Sequence, residues 1–534
     1  MLPVSGAQVW LKADAGVLNA SDVPASHGES VKIWQDQSGN GNHVTQSVAA
    51  RQPTFNTNVL NGMPAISFDG GDDLQGTYAD ECGTIYVVGK VANNAALRTW
   101  AGGMGPFGDG IGNDAWYFQP YGLSVGNTFI RTTSTGSGSD FRAYLPYATG
   151  RAASRPYIQM GRHNGSSIDL GRNGFIKATD TYLGSLMPIA ALAVGAGFYN
   201  GNLVDRLVGD IHELIIFDRA LTDEEDALMH GYLRRWFGGD GFDAAPVVSA
   251  SWYGDGGGAT DENQALYIGT SDDATTYTDK LAAQWIPDGQ VVRDPSLIYD
   301  PSDGYWWIAY TNKHYSVSST SFSVMRSKDG RLWDHVSDVS MASVSGAYFT
   351  FAPEFYLDDD GLHVIVGVGN ASSAFEMYET HPTNATLTTW SAPVKLTGLH
   401  NNVVDGMVRK VDGVYQLWHT DRTVGPWQNV LAKADALTGP YTYDPDLSGN
   451  WQANPYTVEG PYVMGLGGRI VRLHYDTIGG IGAGKYVESI DGGQTWGPVQ
   501  SLVRTAKRHG SFINQSFVDP RVTKGRMTLM GVGQ

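Results

Sequence analysis

Four segments in the second half of the chain close a turn with an aromatic residue at nearly constant spacing. They are "SKDGRLWDHV" with Trp333, "TLTTWSAPV" with Trp390, "DALTGPYTYD" with Tyr441 and "SIDGGQTWGPV" with Trp496, separated by 57, 51 and 55 residues. A second series keeps step with the first. "RDPSLIYD" begins at Arg293, "FAPEFYLDDDG" at Phe351, "VDGMVRKVDG" at Val404, "EGPYVMGLGG" at Glu459 and "RHGSFI" at Arg508, with gaps of 58, 53, 55 and 49. Each is a short polar or Pro/Gly element, and most lead into an apolar strand and a turn. One such unit cannot bury its apolar faces alone, so the period demands packing against its neighbours. Five units of this length match four-stranded blades, and a five-bladed β-propeller is predicted over residues 253–534.

The first half reads differently. "VWLKADAGV" at 9–17 is a strand entering a Gly turn, "VKIWQDQSGNGNHVTQ" at 31–46 sets Trp34 before an Asn/Gly loop, and "NGMPAISFDGGDDL" at 61–74 ends in acidic turns. "GDIHELIIFDRALTDEEDALMHGYLRRWFGG" runs a strand into a helix. Thr222 and Glu225 form its capping box, Leu228, Tyr232 and Trp236 fall on one face, and Gly238 and Gly239 stop it. Asp69, Asp72 and Asp73 are either calcium ligands or solvated turn acids. Residues 239–252 read as a linker. The expected architecture is all-β: an N-terminal β-sandwich (jelly roll) over 1–238, then the propeller.

Gly 68, Trp 15 and Tyr 27 fit many tight turns and aromatic surfaces. A formal charge of −18 opposes binding to a phosphate backbone, so no nucleic-acid partner is expected. No run of about 18 apolar residues appears, so no membrane span is expected. The lone Cys82 excludes an intramolecular disulfide and is read as a packed, inert residue. "MLPVSGAQVWLKAD" lacks a basic n-region. An extracellular protein with its signal removed, or a virion-borne one, is favoured over a cytoplasmic one.

In a propeller the innermost strands line the axis, so residues that begin them converge from distant parts of the chain. By blade, the ionisable ones are Asp294, Glu354, Asp405, Glu459 and His509. Clustered carboxylates raise at least one proton affinity, so one can act as an acid while another stays ionised. Glycoside hydrolysis needs that pairing. Glu354 is read as structural, pointing away from the axis. Asp329 and Asp491 are read as turn residues. Trp306, Trp307, Tyr315, Phe351, Trp418 and Trp427 are candidate sugar-stacking surfaces, several of which must instead be inter-blade core.

These motifs resemble known families. The opening and close of residues 1–238 are similar to laminin G-like or concanavalin A-like sandwiches, which often bind sugars. "SKDGRLW" and "SIDGGQTW" resemble Asp-box turns. "RDPS", "VDGMVRKVDGVYQLWH" and "VEGPYVM", with "FAPEF" and "KADALTGPYTY", resemble glycoside hydrolase family 43 over about 285–520. The resemblance implies Asp294 as general base, Asp405 as the residue that tunes and orients the acid, and Glu459 as general acid. It implies substrate contacts from Arg293, Phe351 (where the family has Trp), Trp418 and His509, with His509 either near a structural calcium or a packed, hydrogen-bonded histidine. No cofactor is implied for the chemistry, which is hydrolysis with inversion of a furanoside or pentose-containing polysaccharide or oligosaccharide.

An invertase-type retaining hydrolase fits "RDPS" and "EGP" poorly, and a sialidase needs six blades. A different class of protein, a carbohydrate-binding adhesin with a hydrolase-like propeller, is the alternative reading.

Overall fold

The computed structural model describes residues 2–78, 80–91, 101–104, 115–119, 127–133, 140–146, 156–164, 166–181, 189, 191–199, 202–237, 247–252, 264–271, 273–287, 289–300, 304–423, 426–444, 457–467, 470–478, 484–504 and 508–514. The chain is all-β apart from one α-helix and two short 3-10 turns among these residues. It divides into two units: Met1–Asp240 with Ala283–Gly289, and Gly241–Ala282 with Gln290–Gln534. No described helix is long and apolar enough to cross a membrane.

The first unit is built on two antiparallel sheets. One orders Phe175–Thr181, Ser167–Arg172, Tyr157–His163, Thr84–Val91, Val208–Phe217, Met63–Asp69 and Thr54–Leu60, with Ala7–Lys12 also paired to Val208–Phe217. The other has nine strands, with Ala191–Val194 between Ala101–Met104 and Leu74–Gly76. Ile85, Val87, Ile215 and Phe217 from the first sheet are buried, as are Trp34, Leu192 and Val194 from the second. The helix Asp223–Leu233 starts at the expected capping box. Its buried face, however, is Met229, His230 and Leu233, continued by Trp236, while Leu228 is 54% exposed. The buried Glu213 sets that rotation: it accepts from Trp10 Nε1, Tyr232 Oη and Trp236 Nε1 and pairs with Arg235. Gly238 and Gly239 lie outside the described residues.

Asp73 is not a solvated turn acid. Its carboxylate is buried and taken by Arg51, Arg206 and Gln46. Burial pushes the neighbouring Asp72 up to about 6 and the Cys82 thiol up to about 12, which disfavours the thiolate at neutral pH.

The second unit contains five four-stranded antiparallel arrays whose inner strands are Arg293–Asp300, Phe349–Asp358, Val403–Val411, Thr457–Gly467 and Arg508–Asn514. Each inner strand packs on the next, and the last returns to the first, closing a ring. This is the five-bladed propeller. We number the blades in that order. Blade 5 is assembled from both sides of the unit: Arg508–Asn514 pairs with Val247–Trp252, which pairs with Leu266–Ser271. The stretch expected to be a linker therefore ends in a strand at 247–252, while 239–246 lies outside the described residues.

Strands covered on both faces read as continuous apolar runs, and Gly361–Gly369 is buried from His363 onward. Ile298, Trp307 and Val324 of blade 1 pack with Phe355, Val364 and Val366 of blade 2. Met407, Trp418 and Leu431 of blade 3 pack with Val463, Leu473 and Val487 of blade 4. Truncating Trp307 or Trp418 to Ala would cost about 3–5 kcal/mol. Side-chain hydroxyls stitch neighbouring blades: Leu297 N–H donates to Ser511 Oγ at 2.8 Å, and Phe355 N–H to Ser296 Oγ at 2.9 Å.

Candidate active site

Each of the first four inner strands breaks register at the same place. The ladder skips between Arg293 and Ser296, Phe351 and Glu354, Val404 and Met407, and Glu459 and Tyr462. Blade 5 has its irregularity at the matching point, beside Arg508. One residue per bulge adopts the left-handed conformation: Asp294 (φ 47°), Ala352 (49°), Asp405 (60°), Gly460 (62°) and His509 (38°). Bulges of this kind re-aim side chains next to active sites. For a non-glycine residue the left-handed region costs about 1–2 kcal/mol, and here four of the five accept it. Gly460 has a steric reason to be glycine, since a Cβ would meet the His509 ring at 2.2 Å.

Hydrogen bonds between blades hold the bulges. Ala352 N–H donates to Thr311 Oγ1 (2.7 Å), Gly460 N–H to Thr420 Oγ1 (3.2 Å) and to Asp405 Oδ2 (3.2 Å), and His509 N–H to Asp476 Oδ2 (2.5 Å). The five bulges surround an open cavity lined by Asp294, Glu354, Asp405, Tyr462, His509 and the bulge backbone.

His509 lies between two carboxylates, with Nδ1 2.7 Å from Asp294 Oδ1 and Nε2 3.6 Å from Asp405 Oδ2. Burial opposes its charge, but Asp405 and Asp294 outweigh burial and raise the imidazole to about 9, so it is an imidazolium at neutral pH. Burial likewise opposes ionisation of Asp294. His509 and Arg293, with a hydrogen bond from Thr311, overcome that and hold its carboxyl well below the usual range. Glu354 takes the opposite state. Burial pushes its carboxyl up to about 8, against the smaller pull of Ser296 and His509. Two carboxyls facing one cavity thus differ in protonation at pH 7.

The residues singled out from the sequence divide into three groups. Asp294, Asp405 and His509 occupy equivalent bulge positions and line the cavity. Glu459 stands one residue before its bulge. It is paired with Arg508, and its carboxylate lies within 4.8 Å of ligand atoms on Asp405 and His509. Phe351 and Arg293, also one residue before their bulges, form a flanking wall. Phe351 stacks on Phe375 at 5.2 Å, and Arg293 lies over Phe351 and the exposed Tyr315. Trp418 belongs to neither group. It is fully buried against Trp496 in the blade core, out of reach of a sugar. One residue was misread and one was missed. Glu354 faces the cavity rather than away from it, because the two-residue bulge changes which side of the strand its position addresses. Arg508 is the partner of Glu459; its place at the start of the fifth repeat, equivalent to Glu459 in the fourth, was the available signal.

The calcium implied near His509 meets a poor donor set. Calcium takes six to eight oxygens, whereas here one ring nitrogen is committed to Asp294 and Glu459 already has a guanidinium beside it. The cluster neutralises its own charge, and the residues do not fit a calcium ion.

No protein-family model and no curated protein matches this chain. Among solved structures it is similar to the NanB sialidase from Streptococcus pneumoniae (14% identity over 79% of this chain and 78% of that one, TM-score 0.27). It is also similar to Zg3597, a family 117 glycoside hydrolase from Zobellia galactanivorans (16%, 41% and 72%, 0.34), and to a thermostable family-43 glycoside hydrolase (13%, 41% and 78%, 0.33). Identities and scores this low say nothing about activity.

Proposed function

We propose that the protein is a glycoside hydrolase that cleaves a polysaccharide or oligosaccharide with inversion, with furanosides or pentose-containing glycans the favoured class. The carrying observation is the convergence of Asp294, Glu354 and Asp405 from three blades on one cavity, with Glu459 of a fourth blade close to Asp405 and His509. Asp294 is assigned as the base that takes a proton from water, and Glu459 as the acid that protonates the leaving oxygen. Asp405, with a ligand atom within 4.8 Å of Glu459, is assigned to tune and orient that acid. Arg508 is paired with Glu459, so the acid role requires the guanidinium to turn away before the proton is delivered. Phe351, backed by the buried Phe375, and the exposed Tyr315 supply apolar faces for a sugar ring.

A second reading, a non-catalytic glycan binder, draws on a specific observation as well: both carboxylates assigned to the chemistry are paired with cations of the chain. Incubation of wild type, Asp294→Asn, Glu459→Gln and Glu354→Gln with arabinans, arabinoxylans, galactans and bacterial surface polysaccharides separates these readings. The hydrolase requires release of reducing sugar by wild type and a loss of roughly 10²–10⁴-fold in the first two variants. Loss in Glu354→Gln with activity kept in Glu459→Gln would move the acid role to Glu354. Glycan binding without release by any protein would leave the binder.

A further inference from the structure

Blade 2 carries a second cluster at the end of the sheet away from its bulge. Its ladder pairs Val364 with Thr380 and Ile365 with Glu379. One step further sets His363 across from His381, and the period-two alternation of strands sends His363, Glu379 and His381 to a single face. His363 is about 7–13 Å along its strand from the residues opposite the bulge, and none of the three lines the cavity.

Three potential ligand atoms converge there. Glu379 Oε1 lies 2.7 Å from His363 Nδ1 and 2.9 Å from His381 Nδ1. The other nitrogen of His363, Nε2, is 2.9 Å from Asp360 Oδ1. A neutral imidazole donates from one nitrogen only. Both contacts of His363 are met either by an imidazolium donating from both nitrogens or by Nε2–H on Asp360 with a metal ion between Nδ1 and Glu379. An outer carboxylate that fixes a histidine so that its free nitrogen faces a second histidine and a glutamate is the arrangement found around protein-bound zinc. His363 and Glu379 are almost fully buried, whereas the His381 side chain is 44% exposed, which gives an ion a path in. Ser391 Oγ also approaches His381 Nδ1, at 3.3 Å.

We propose that His363, Glu379 and His381 bind a divalent transition-metal ion of the zinc class, clamping the second and third strands of blade 2, with Asp360 orienting His363 from outside. Two nitrogens and one carboxylate oxygen are the wrong donors for calcium or magnesium, so those ions do not compete.

The test uses the full chain stripped with chelator and titrated with Zn²⁺ or Ca²⁺ by calorimetry, with Co²⁺ absorption as a second readout. Expected are saturable Zn²⁺ binding at one site, no comparable Ca²⁺ binding there, and visible Co²⁺ bands of low coordination number. His381→Ala, at an exposed position, is expected to abolish both signals. Asp360→Ala, more exposed still, is expected to weaken Zn²⁺ by about 10–100-fold. The proposal is overturned if Zn²⁺ gives no saturable heat, or if His381→Ala and Glu379→Gln bind Zn²⁺ and Co²⁺ as wild type does. Neither result bears on glycan hydrolysis, which is read out separately.

Discussion

Asp294 and Asp329 stand at opposite ends of blade 1, one in the bulge of the inner strand and the other in a turn between strands, and they are held by different physics. Asp329 is satisfied by its own turn. Its Oδ1 accepts from the backbone of Arg331 and Leu332 and from Ser327 Oγ, while Trp333 Nε1 donates to Gly330 O. Asp491 repeats this in blade 4, where Thr495, Ser489 and backbone amides hold its carboxyl well below the usual range. Asp294 instead depends on other blades, with His509 from blade 5 as its principal counter-charge and a left-handed backbone to aim it. A carboxylate whose partners lie within five residues is a folding device. One whose partners lie hundreds of residues away marks the place where the fold does something costly.

That contrast can be tested from its strongest side downward. His509→Gln leaves Asp294 and Asp405 without their shared cation and should cost about 3–5 kcal/mol near neutral pH, measured by urea unfolding. The folded pKa of His509 is raised, from an ordinary 6.5 to about 9. Its contribution is therefore complete below pH 6.5 and is lost as pH rises through about 9. The gap between wild type and variant should close over that window; a constant gap would mean packing, not charge.

Gly460→Ala places a methyl group against the His509 ring in a left-handed position and should cost about 2–3 kcal/mol. Hydrolytic activity should fall with it, because the ring that holds Asp294 is displaced.

Glu354→Gln should have an effect that depends on pH. The folded pKa is raised from 4.5 to about 8, so wild type loses stability as pH rises through that window while the amide does not. The variant should gain on wild type between pH 4.5 and 8 in unfolding midpoints. Parallel curves would show that Glu354 is not protonated in the fold.

The smallest effect belongs to the turn. Asp329→Ala should cost about 1 kcal/mol and leave turnover within about twofold of wild type.

The sequence carried the repeat period, the five strand starts and the turn aspartates, because all are local or periodic signals. Pro and Gly after the key residues announced a break in each strand, yet not which residue of the break turns inward. Asp294, Asp405 and His509 could be aligned by type, whereas Ala352 and Gly460, their backbone equivalents, carry no charge to reveal them. Glu354 was misread for the same reason, since a bulge changes the facing of everything after it. Trp418 shows the opposite difficulty: an aromatic residue near a strand start reads alike whether it meets a sugar or Trp496. The strand Val247–Trp252 looked like linker because one of its two partners lies more than 250 residues away, where no local pattern can point to it.

That last pairing has a kinetic consequence. The strand bearing His509 is joined in register to the strand at the other end of the propeller unit, so blade 5 has by far the longest loop to close. Contacts of such separation form slowly, after the entropy of nearly the whole unit has been spent. Until they form, Asp294 and Asp405 lack their cation, and blades 1 to 4 hold the carboxylates without a finished centre. Closure of the ring and completion of the charge cluster are one event, so a partly folded propeller has no partly working site.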